Sequence, residues 1–464
     1  MLPSAPPKAD GFTTTMLPLE LTEKNLNRNI ARLAIPAAAE NVLHMMVFIV
    51  DIIMVGRLGT EAIASVGLAG ALNFVLTIVF SSLSAGTLSL VARHTGARER
   101  SMAERVAAQS LLLSIIVGVT VAPALFHYSD GIFHLMGAEP EVLRLSTLYF
   151  TIVIYFLPCR LIILTSSASL RGAGDTRTPM LITLVMNLTN VFFNWLLIFG
   201  IWIFPRMGVA GAAWGTVIAY MVGATLSLAI LFRGKALVTL HLRDMMGFDT
   251  GVIKRVLWIS LPATLDALLM QMGYLVFIKI VTMLGTASLA AHQIAVRIES
   301  ISFMPGYALG MSTATLVGQS LGAKKEDLAR LSMKRNCLFA LLLMCTFGVI
   351  FLIMPRQLGM VFGPEEEVLR LSSLCVMISA IEQPALAIYM VYAGGLRGAG
   401  DTMSPMLITI VGTLFFHLPM AYIFGIVMGW GLAGIWFGAA LDWIGRAIAV
   451  YILFRRGRWR RLKM

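Results

Sequence analysis

Charged residues and cysteines are both scarce in this chain of 464 residues. Only 13% of the residues are charged, against 58% that are hydrophobic, whereas soluble domains are about a quarter charged. The sequence therefore predicts a membrane protein rather than a soluble one. The four cysteines lie in apolar runs without CxxC spacing, which is typical of buried thiols rather than of a disulfide framework or a metal site.

Several enzyme motifs and the apolar pattern of a secretory leader are also missing from the sequence. The sequence contains no His-Glu-x-x-His, no Gly-x-Ser-x-Gly and no Gly-x-x-x-x-Gly-Lys-Ser/Thr, so the common zinc-hydrolase, serine-hydrolase and nucleotide-binding chemistries are not indicated. The first twenty or so residues hold several prolines and no long apolar run, so a cleavable signal is not expected. We predict that the protein is not an enzyme and uses no cofactor.

One stretch of the sequence occurs twice. Leu170-Arg-Gly-Ala-Gly-Asp-Thr-Arg-Thr-Pro-Met180 returns as Leu396-Arg-Gly-Ala-Gly-Asp-Thr-Met-Ser-Pro-Met406, at an offset of 226 residues. The same offset relates Pro36 to Pro262 and many other positions. Internal repetition of this kind predicts one fold unit present in two copies.

Apolar runs long enough to cross a bilayer, about 20 residues each, occur six times in each half. They are predicted near 33–56, 62–90, 106–127, 142–166, 178–201, 208–232, 256–283, 287–317, 336–355, 369–393, 405–428 and 431–454. We therefore predict an all-α integral membrane protein with twelve transmembrane helices in two six-helix lobes. Its parts are a cytoplasmic N-terminal segment (1–32), an N-lobe (33–232), a cytoplasmic linker (233–255), a C-lobe (256–454) and a basic cytoplasmic tail (455–464).

Basic residues are unevenly distributed between the predicted loops. If both termini are cytoplasmic, most of the 36 Lys and Arg lie on the cytoplasmic side, and only five lie in outer loops: Arg57, Arg144, Arg206, Arg356 and Arg370. This bias predicts a multi-pass protein of the cell membrane with both termini in the cytoplasm. The net charge of +12 then matches an anionic lipid surface, and no nucleic-acid partner is expected.

Both copies of the repeated motif fall between the fourth and fifth span of their half. Glycines permit a tight reversal there, and Asp-Thr is suited to cap the following helix. We interpret the motif as a structural cytoplasmic turn, with a role in gating as the alternative. The turn residues are Arg171, Gly172, Gly174 and Asp175 in the first copy, and Arg397, Gly398, Gly400 and Asp401 in the second.

Departures from the repeat indicate function, because a duplicated scaffold should repeat what is structural. On the first span, Glu40, His44 and Asp51 share one helical face. The corresponding residues of the seventh span are Asp266, Met270 and Phe277. The carboxylate nearer the cytoplasmic end of the span is therefore present in both halves, as Glu40 and Asp266, and could be structural. Asp51 occurs in the N-lobe alone. Charged residues within spans are functional candidates.

The fifth and sixth spans differ between the halves in the same way. Thr183, Asn187, Asn190 and Asn194 form a polar stripe, which Thr409, Thr413, Phe416 and Met420 replace in the second half; Thr216 corresponds to Ala439. The asparagines could simply join neighbouring helices. A carboxylate among amide and hydroxyl oxygens nevertheless suits Na⁺, or a proton on a buried carboxyl. We predict an ion or proton site in the N-lobe.

The sequence resembles a known family at these residues. Val50-Asp-Ile-Ile-Met-Val-Gly-Arg-Leu-Gly59, the paired Leu-Arg-Gly-Ala-Gly-Asp-Thr loops and Gly208-Val-Ala-Gly-Ala-Ala are similar to the multidrug and toxic compound extrusion (MATE) family, and the similarity extends over nearly the whole chain after about residue 28. The resemblance implies a V-shaped pair of lobes. It also implies a secondary antiporter that exports cationic and amphipathic compounds in exchange for H⁺ or Na⁺.

The resemblance further implies which residues bind the coupling ion. The pattern of the archaeal and DinF-like members, which this chain resembles more than the NorM pattern, places the site on Asp51, Asn190, Asn194, Ala212 and Thr216, with Na⁺ at Asp51, Asn190, Asn194 and Thr216 as one possibility. Asn194 stands where that pattern often has Asp, so H⁺ and Na⁺ both stay open. A secondary polar site could involve Glu40, His44, Asn187, Asp266 and Glu382.

Two other functions are considered. A lipid-linked oligosaccharide flippase of the same superfamily would need a cationic cavity for pyrophosphate, whereas several intramembrane charges here are acidic. A membrane-embedded enzyme is disfavoured by the missing motifs and by the duplication. The expected partners are the lipid bilayer and small cationic or amphipathic molecules, and the expected oligomeric state is a monomer.

Overall fold

The computed structural model describes residues 19–234 and 237–462, and within those ranges it contains helices and no strand. Twelve long helices follow one another along the chain. They are α1 (Leu26–Gly56), α2 (Thr60–Gly96), α3 (Arg100–Leu135), α4 (Pro140–Ile154 and Leu157–Ala173), α5 (Arg177–Phe199), α6 (Val209–Phe232), α7 (Thr250–Thr282), α8 (Thr286–Gly322), α9 (Glu326–Ile353), α10 (Glu366–Gly398), α11 (Met403–Val427) and α12 (Gly431–Arg456). The expected all-α fold with two lobes of six helices is confirmed.

Most of these helices can cross a membrane by length and composition. Ten are apolar enough, and α4 is an eleventh if its two bent halves count as one span. The remaining helix, α8, is 37 residues long, but its many small and polar residues lower its mean hydropathy. The chain is a multi-pass membrane protein.

Two helices deviate from a regular span in ways that the hydrophobic pattern did not indicate. The halves of α4 meet at an angle of 55°, and Pro158 lies at the start of the second half. In the other lobe α10 runs unbroken through Pro384, so proline alone does not cause the bend. Helix α11 contains two π-helical segments, Gly412–His417 and Ile423–Val427.

Several helices extend beyond their predicted ends. Helix α1 begins at Leu26 rather than near 33, α7 begins at Thr250 rather than near 256, and α9 begins at Glu326 rather than near 336. The extra turns carry charged residues, which apolar windows exclude but which an α-helix accommodates outside the hydrocarbon layer. Of the predicted N-terminal segment, residues 1–18 lie outside the described residues, as do 235–236 of the linker and 463–464 of the tail.

The described residues show the two lobes sharing hydrophobic cores at one end of the molecule. At the end that carries the repeated turns, which we call the turn side, Leu26, Ile30 and Leu33 of α1 join the C-lobe core. In return, Val252 and Val256 of α7 join the N-lobe core. At the opposite end, which we call the far side, each buried cluster draws its residues from a single lobe. The lobes are thus joined at the turn side.

Each repeated turn ends one helix and caps the next. Gly174 and Gly400 adopt left-handed φ values of +97° and +85°, which glycine tolerates best. Asp175 Oδ1 accepts hydrogen bonds from the backbone N–H of Thr178 (3.0 Å), and Asp401 Oδ1 accepts one from that of Ser404 (3.0 Å). Carboxylate caps of this kind stabilise the first turn of α5 and of α11.

The turns also accept hydrogen bonds from the opposite lobe. The Thr315 hydroxyl of α8 donates to the Arg171 carbonyl (3.1 Å), and the Gln319 side-chain amide donates to the Gly172 carbonyl (2.9 Å). The second turn is contacted in the same way by the N-lobe: the Ser89 hydroxyl of α2 donates to the Gly398 carbonyl (3.1 Å). The repeated motif therefore contributes to the contact between the lobes as well as to its own turn.

Candidate functional site

The residues predicted to form an N-lobe ion site lie together near the far side. The Asn194 side-chain amide donates to Asp51 Oδ1 (2.7 Å) and to Asn190 Oδ1 (3.1 Å). The Asn190 amide donates to the Thr216 hydroxyl (3.3 Å), which in turn donates to the Ala212 carbonyl (3.0 Å). All five residues thus belong to one hydrogen-bonded chain that joins α1, α5 and α6.

Helical periodicity explains how these side chains meet. Asn190 and Asn194 are one turn apart on α5, and Ala212 and Thr216 are one turn apart on α6. Asp51, Asn194 and Thr216 lie about 8–11 Å from the far-side ends of their helices, at 1.5 Å rise per residue. Asn190 and Asn194 are buried, whereas Asp51 is partly accessible. The carboxylate is therefore the most accessible of these three side chains.

A glycine on α6 allows the close packing that this site needs. A Cβ atom at Gly215 would overlap the side-chain oxygen of Asn194. Only a residue without a side chain lets α5 and α6 approach so closely here. The same Asn194 oxygen is buried and has no hydrogen-bond partner among the described residues. The amide nitrogen of Asn194 donates two hydrogen bonds, so its oxygen is the atom still available to accept one.

The donor set suits a hard cation or a proton. Asp51, Asn190, Thr216 and Ala212 offer carboxylate, amide, hydroxyl and carbonyl oxygens, the ligands that hard cations prefer. Within the described residues, no three His, Cys, Asp or Glu side chains cluster as a transition-metal site would require. Sequence reasoning missed Tyr149 of α4, whose hydroxyl lies 3.4 Å from that of Thr216; no spacing signal in the sequence connects the two.

Two members of the secondary polar set form buried ion pairs with the repeated turns. Glu40 Oε1 lies 2.5 Å from Arg171 Nη2, and Asp266 Oδ2 lies 2.7 Å from Arg397 Nη2. The two pairs are related by the offset of 226 residues, so each lobe contains one copy. Arg171 and Arg397 are therefore more than turn residues, because each ties the end of a helix to the first helix of its own lobe.

The other members of that set do not form one site. His44 Nε2 is 3.9 Å from Glu40 Oε1, and its side chain is 45% exposed. The Asn187 amide donates to the Leu43 carbonyl (2.6 Å), so it joins α5 to α1 as a helix–helix hydrogen bond. Glu382 lies in the C-lobe, where it is buried near Glu299 of α8.

A polar network in the C-lobe was not predicted as a site. Asp442 and Arg446 of α12 form a buried ion pair (2.8 Å), and His417 Nδ1 lies 3.1 Å from Asp442. Arg446 also donates to the Thr413 hydroxyl (3.0 Å). Thr413 and His417 lie in the first π-helical segment of α11, and such segments often occur at functional positions.

Comparisons with known proteins agree with these observations. A family model, MatE, matches residues 36–196 and 262–423, so one copy falls in each lobe. The chain is 30% identical over 442 residues to the "Probable multidrug resistance protein NorM" of Thermotoga maritima, covering 94% of this chain and 93% of that one. It is 26% identical over 439 residues to "Multidrug resistance protein PmpM" of Pseudomonas aeruginosa, covering 92% and 91%.

Solved structures share the fold. "Outward-facing conformation of a multidrug resistance MATE family transporter of the MOP superfamily" superposes with a TM-score of 0.87 at 23% identity, covering 94% of this chain and 97% of that one. "Crystal structure of MATE in the bent conformation" superposes with a TM-score of 0.88 at 24% identity, covering 93% and 95%. The family model, which matches more than half of the chain, and the identity over nearly its full length show that this protein belongs to the MatE family of transporters.

Proposed function

We propose that the protein is a secondary multidrug efflux antiporter of the cell membrane, which exports cationic and amphipathic compounds in exchange for H⁺ or Na⁺. The names of relatives such as "Multidrug resistance protein PmpM" support efflux. The observation that carries the coupling part of the proposal is the hydrogen-bonded chain from Asp51 through Asn194 and Asn190 to Thr216. Apolar residues stand at the equivalent positions of the C-lobe: Phe277, Met420, Phe416 and Ala439.

The arrangement of the lobes supports alternating access. At the turn side, the hydrophobic cores contain residues of both lobes. At the far side, each lobe has a hydrophobic core of its own. The basic bias supports a cytoplasmic turn side, and we propose that this conformation opens between the lobes toward the outside. We propose that both termini are cytoplasmic and that the transporter acts as a monomer in the bilayer.

Ion binding can change the packing of α5 against α6. Asp51 now accepts an N–H from Asn194, which suits an ionised carboxylate. A proton on Asp51 would turn that carboxyl into a donor, and Na⁺ would need oxygen ligands. Either ion therefore favours an Asn194 amide that presents its unused oxygen to Asp51. Because that oxygen now lies against Gly215, its rotation alters the contact between α5 and α6.

This change in packing couples ion binding to drug release only if the two ligands favour different conformations of the transporter. In the proposed cycle, a cationic drug binds the cleft when Asp51 is ionised. An ion arriving from outside neutralises Asp51, which weakens the attraction for the drug and changes the α5–α6 contact. The drug leaves to the outside, and the transporter returns with the ion bound.

Transport by proteoliposomes tests this proposal. Wild-type protein should export a cationic dye such as ethidium when an inward gradient of H⁺ or Na⁺ is imposed, and comparison of the two gradients identifies the ion. Asp51→Asn should insert normally and lose gradient-driven export. Glu61→Gln serves as the matched control, because Glu61 is an exposed carboxylate at the far-side start of α2. Export by Asp51→Asn at the wild-type rate would refute the coupling role.

A further inference from the structure

A partly buried arginine of the N-lobe, Arg160, has no role in the coupling site described above. Arg160 lies in the first turns of the second half of α4, just past the 55° bend. Its guanidinium is 5.0 Å from the centre of the Tyr220 ring, and one of its nitrogens is 3.5 Å from the Thr77 hydroxyl. The hydrogen bond is weak, since 3.5 Å is long for one, and the ring contact is a cation–π interaction that supplies no anion.

Arg160 differs from three other arginines of the helices that are not solvent-exposed. Arg171, Arg397 and Arg446 each contact a carboxylate at 2.5–2.8 Å. Among the described residues, no Asp or Glu oxygen lies within 4.0 Å of Arg160, and its Nε is buried without a hydrogen-bond partner. A cation removed from water without an anionic partner is costly, and an intramembrane charge of this kind is expected to serve function.

The repeat shows that the scaffold does not need this charge. The offset of 226 residues relates Arg160 to Leu386, a fully buried residue of the C-lobe core. The same offset relates Asn73, which lies beside Arg160, to Glu299. The C-lobe therefore carries a carboxylate pair, Glu299 and Glu382, on the helices that correspond to α2 and α4. The two lobes carry opposite charge on equivalent helices.

A small cavity lies beside the guanidinium. It has a volume of about 20 Å³ and is lined by Asn73, Thr77, Arg160 and Tyr220 together with aliphatic and aromatic side chains of α2 and α4. A volume of this order holds about one water molecule, so the cavity accepts a single oxygen-sized group rather than a ring. Charge, a free N–H and small size together suit one oxygen of a carboxylate, which arginine binds strongly.

We propose that Arg160 binds the carboxylate of zwitterionic amphipathic substrates, so that the transporter recognises such compounds at both charges rather than as simple cations. This inference rests on the proposed efflux function and specifies its substrate class. One carboxylate oxygen occupies the cavity between α2, α4 and α6, and the cationic part and the ring system stay outside it.

A matched pair of dyes tests the assignment. Rhodamine B carries a free carboxylate beside its cationic ring system, and its ethyl ester keeps the ring system but lacks the anion. Binding of each dye to purified transporter in a neutral detergent is measured by fluorescence anisotropy, and export is measured in proteoliposomes. The variants are Arg160→Gln and the charge-conserving Arg160→Lys. The control is Arg144→Gln, which removes an exposed arginine far from the cavity.

Arg160→Gln should weaken the binding of the free acid roughly tenfold or more, the usual effect of losing a charge-assisted hydrogen bond, and should leave the ester within about twofold. Arg160→Lys should restore part of the affinity for the acid, and Arg144→Gln should bind both dyes normally.

Equal losses for both dyes, or no loss for the acid, would overturn the assignment. A preference that disappears when anionic phospholipid is added would identify a lipid headgroup as the anion, which also overturns it. If wild-type protein exports the ester but does not bind the acid, only this inference fails; if it exports neither dye, the proposed efflux function fails as well.

Discussion

The duplicated ion pairs make a quantitative prediction about stability. The side chains of Glu40 and Asp266 are only 4% and 5% exposed, and those of their partners Arg171 and Arg397 are 19% and 29% exposed. Removing one member of a buried pair leaves an uncompensated charge, which costs about 3–5 kcal/mol. Glu40→Gln and Asp266→Asn should each destabilise their lobe by about 3 kcal/mol. For a lobe of roughly 200 residues, that corresponds to a fall of about 6–12 °C in the unfolding midpoint.

Scanning fluorimetry of purified protein in one detergent measures this effect. The informative comparison is the double variant Glu40→Gln with Arg171→Gln, which removes both charges and should recover a large part of the loss. Because the two pairs are copies, the C-lobe double variant at Asp266 and Arg397 should behave alike. Single variants as stable as wild type, or double variants whose losses simply add, would refute the buried-pair reasoning.

Three further predictions concern the coupling site and the contact between the lobes. Gly215→Ala introduces a Cβ that clashes with the Asn194 side-chain oxygen and should abolish ion-driven export. Gly67→Ala, whose Cβ meets open space, serves as the control and should export normally. Equal export by both variants would contradict the role of close packing at Gly215. Asn194→Asp adds a second carboxylate beside Asp51 and should strengthen the response of export to a Na⁺ gradient; an unchanged response in proteoliposomes counts against this site. Gln319→Ala removes a hydrogen bond between the lobes and should weaken turn-side closure by about 1 kcal/mol, seen as a larger open population in spin-label distances; an unaltered distance distribution argues against this contact as part of the gate.

The two-lobe fold follows from the sequence because the duplication and the apolar runs are both strong signals. One offset aligns most of the chain, and each apolar run has the length that a bilayer requires. The ends of the helices were harder to predict, since an apolar window stops where charge begins. Helix α9 continues through the charged residues that follow Glu326, because a helix can extend beyond the hydrocarbon layer into water.

Local irregularities were not predictable from the repeat. Pro158 and Pro384 occupy equivalent positions, but only α4 is bent there. The π-helical segments of α11 likewise have no counterpart in the regular helix α5. Both features depend on packing against neighbouring helices, which sequence spacing does not describe.

The candidate coupling site was predictable because the two copies differ there. Asp51 and Asn194 stand out against apolar residues in the second half, and helical spacing places each on a definite face. The partners of the turn arginines were not predictable, because Glu40 and Arg171 lie 131 residues apart. Arg160 could have been found by the same comparison of copies, since a leucine stands at its equivalent position.

Asp51 is the residue proposed to link ion binding to drug binding. The most direct measurement is the affinity of purified protein for ethidium, determined over a range of pH and of Na⁺ concentration in wild type and in Asp51→Asn. Wild-type affinity should fall as the concentration of the coupling ion rises, because neutralising Asp51 disfavours the state that binds the cation. In Asp51→Asn the affinity should be independent of that ion. An ion dependence of equal size in both proteins would show that Asp51 does not link the two binding events.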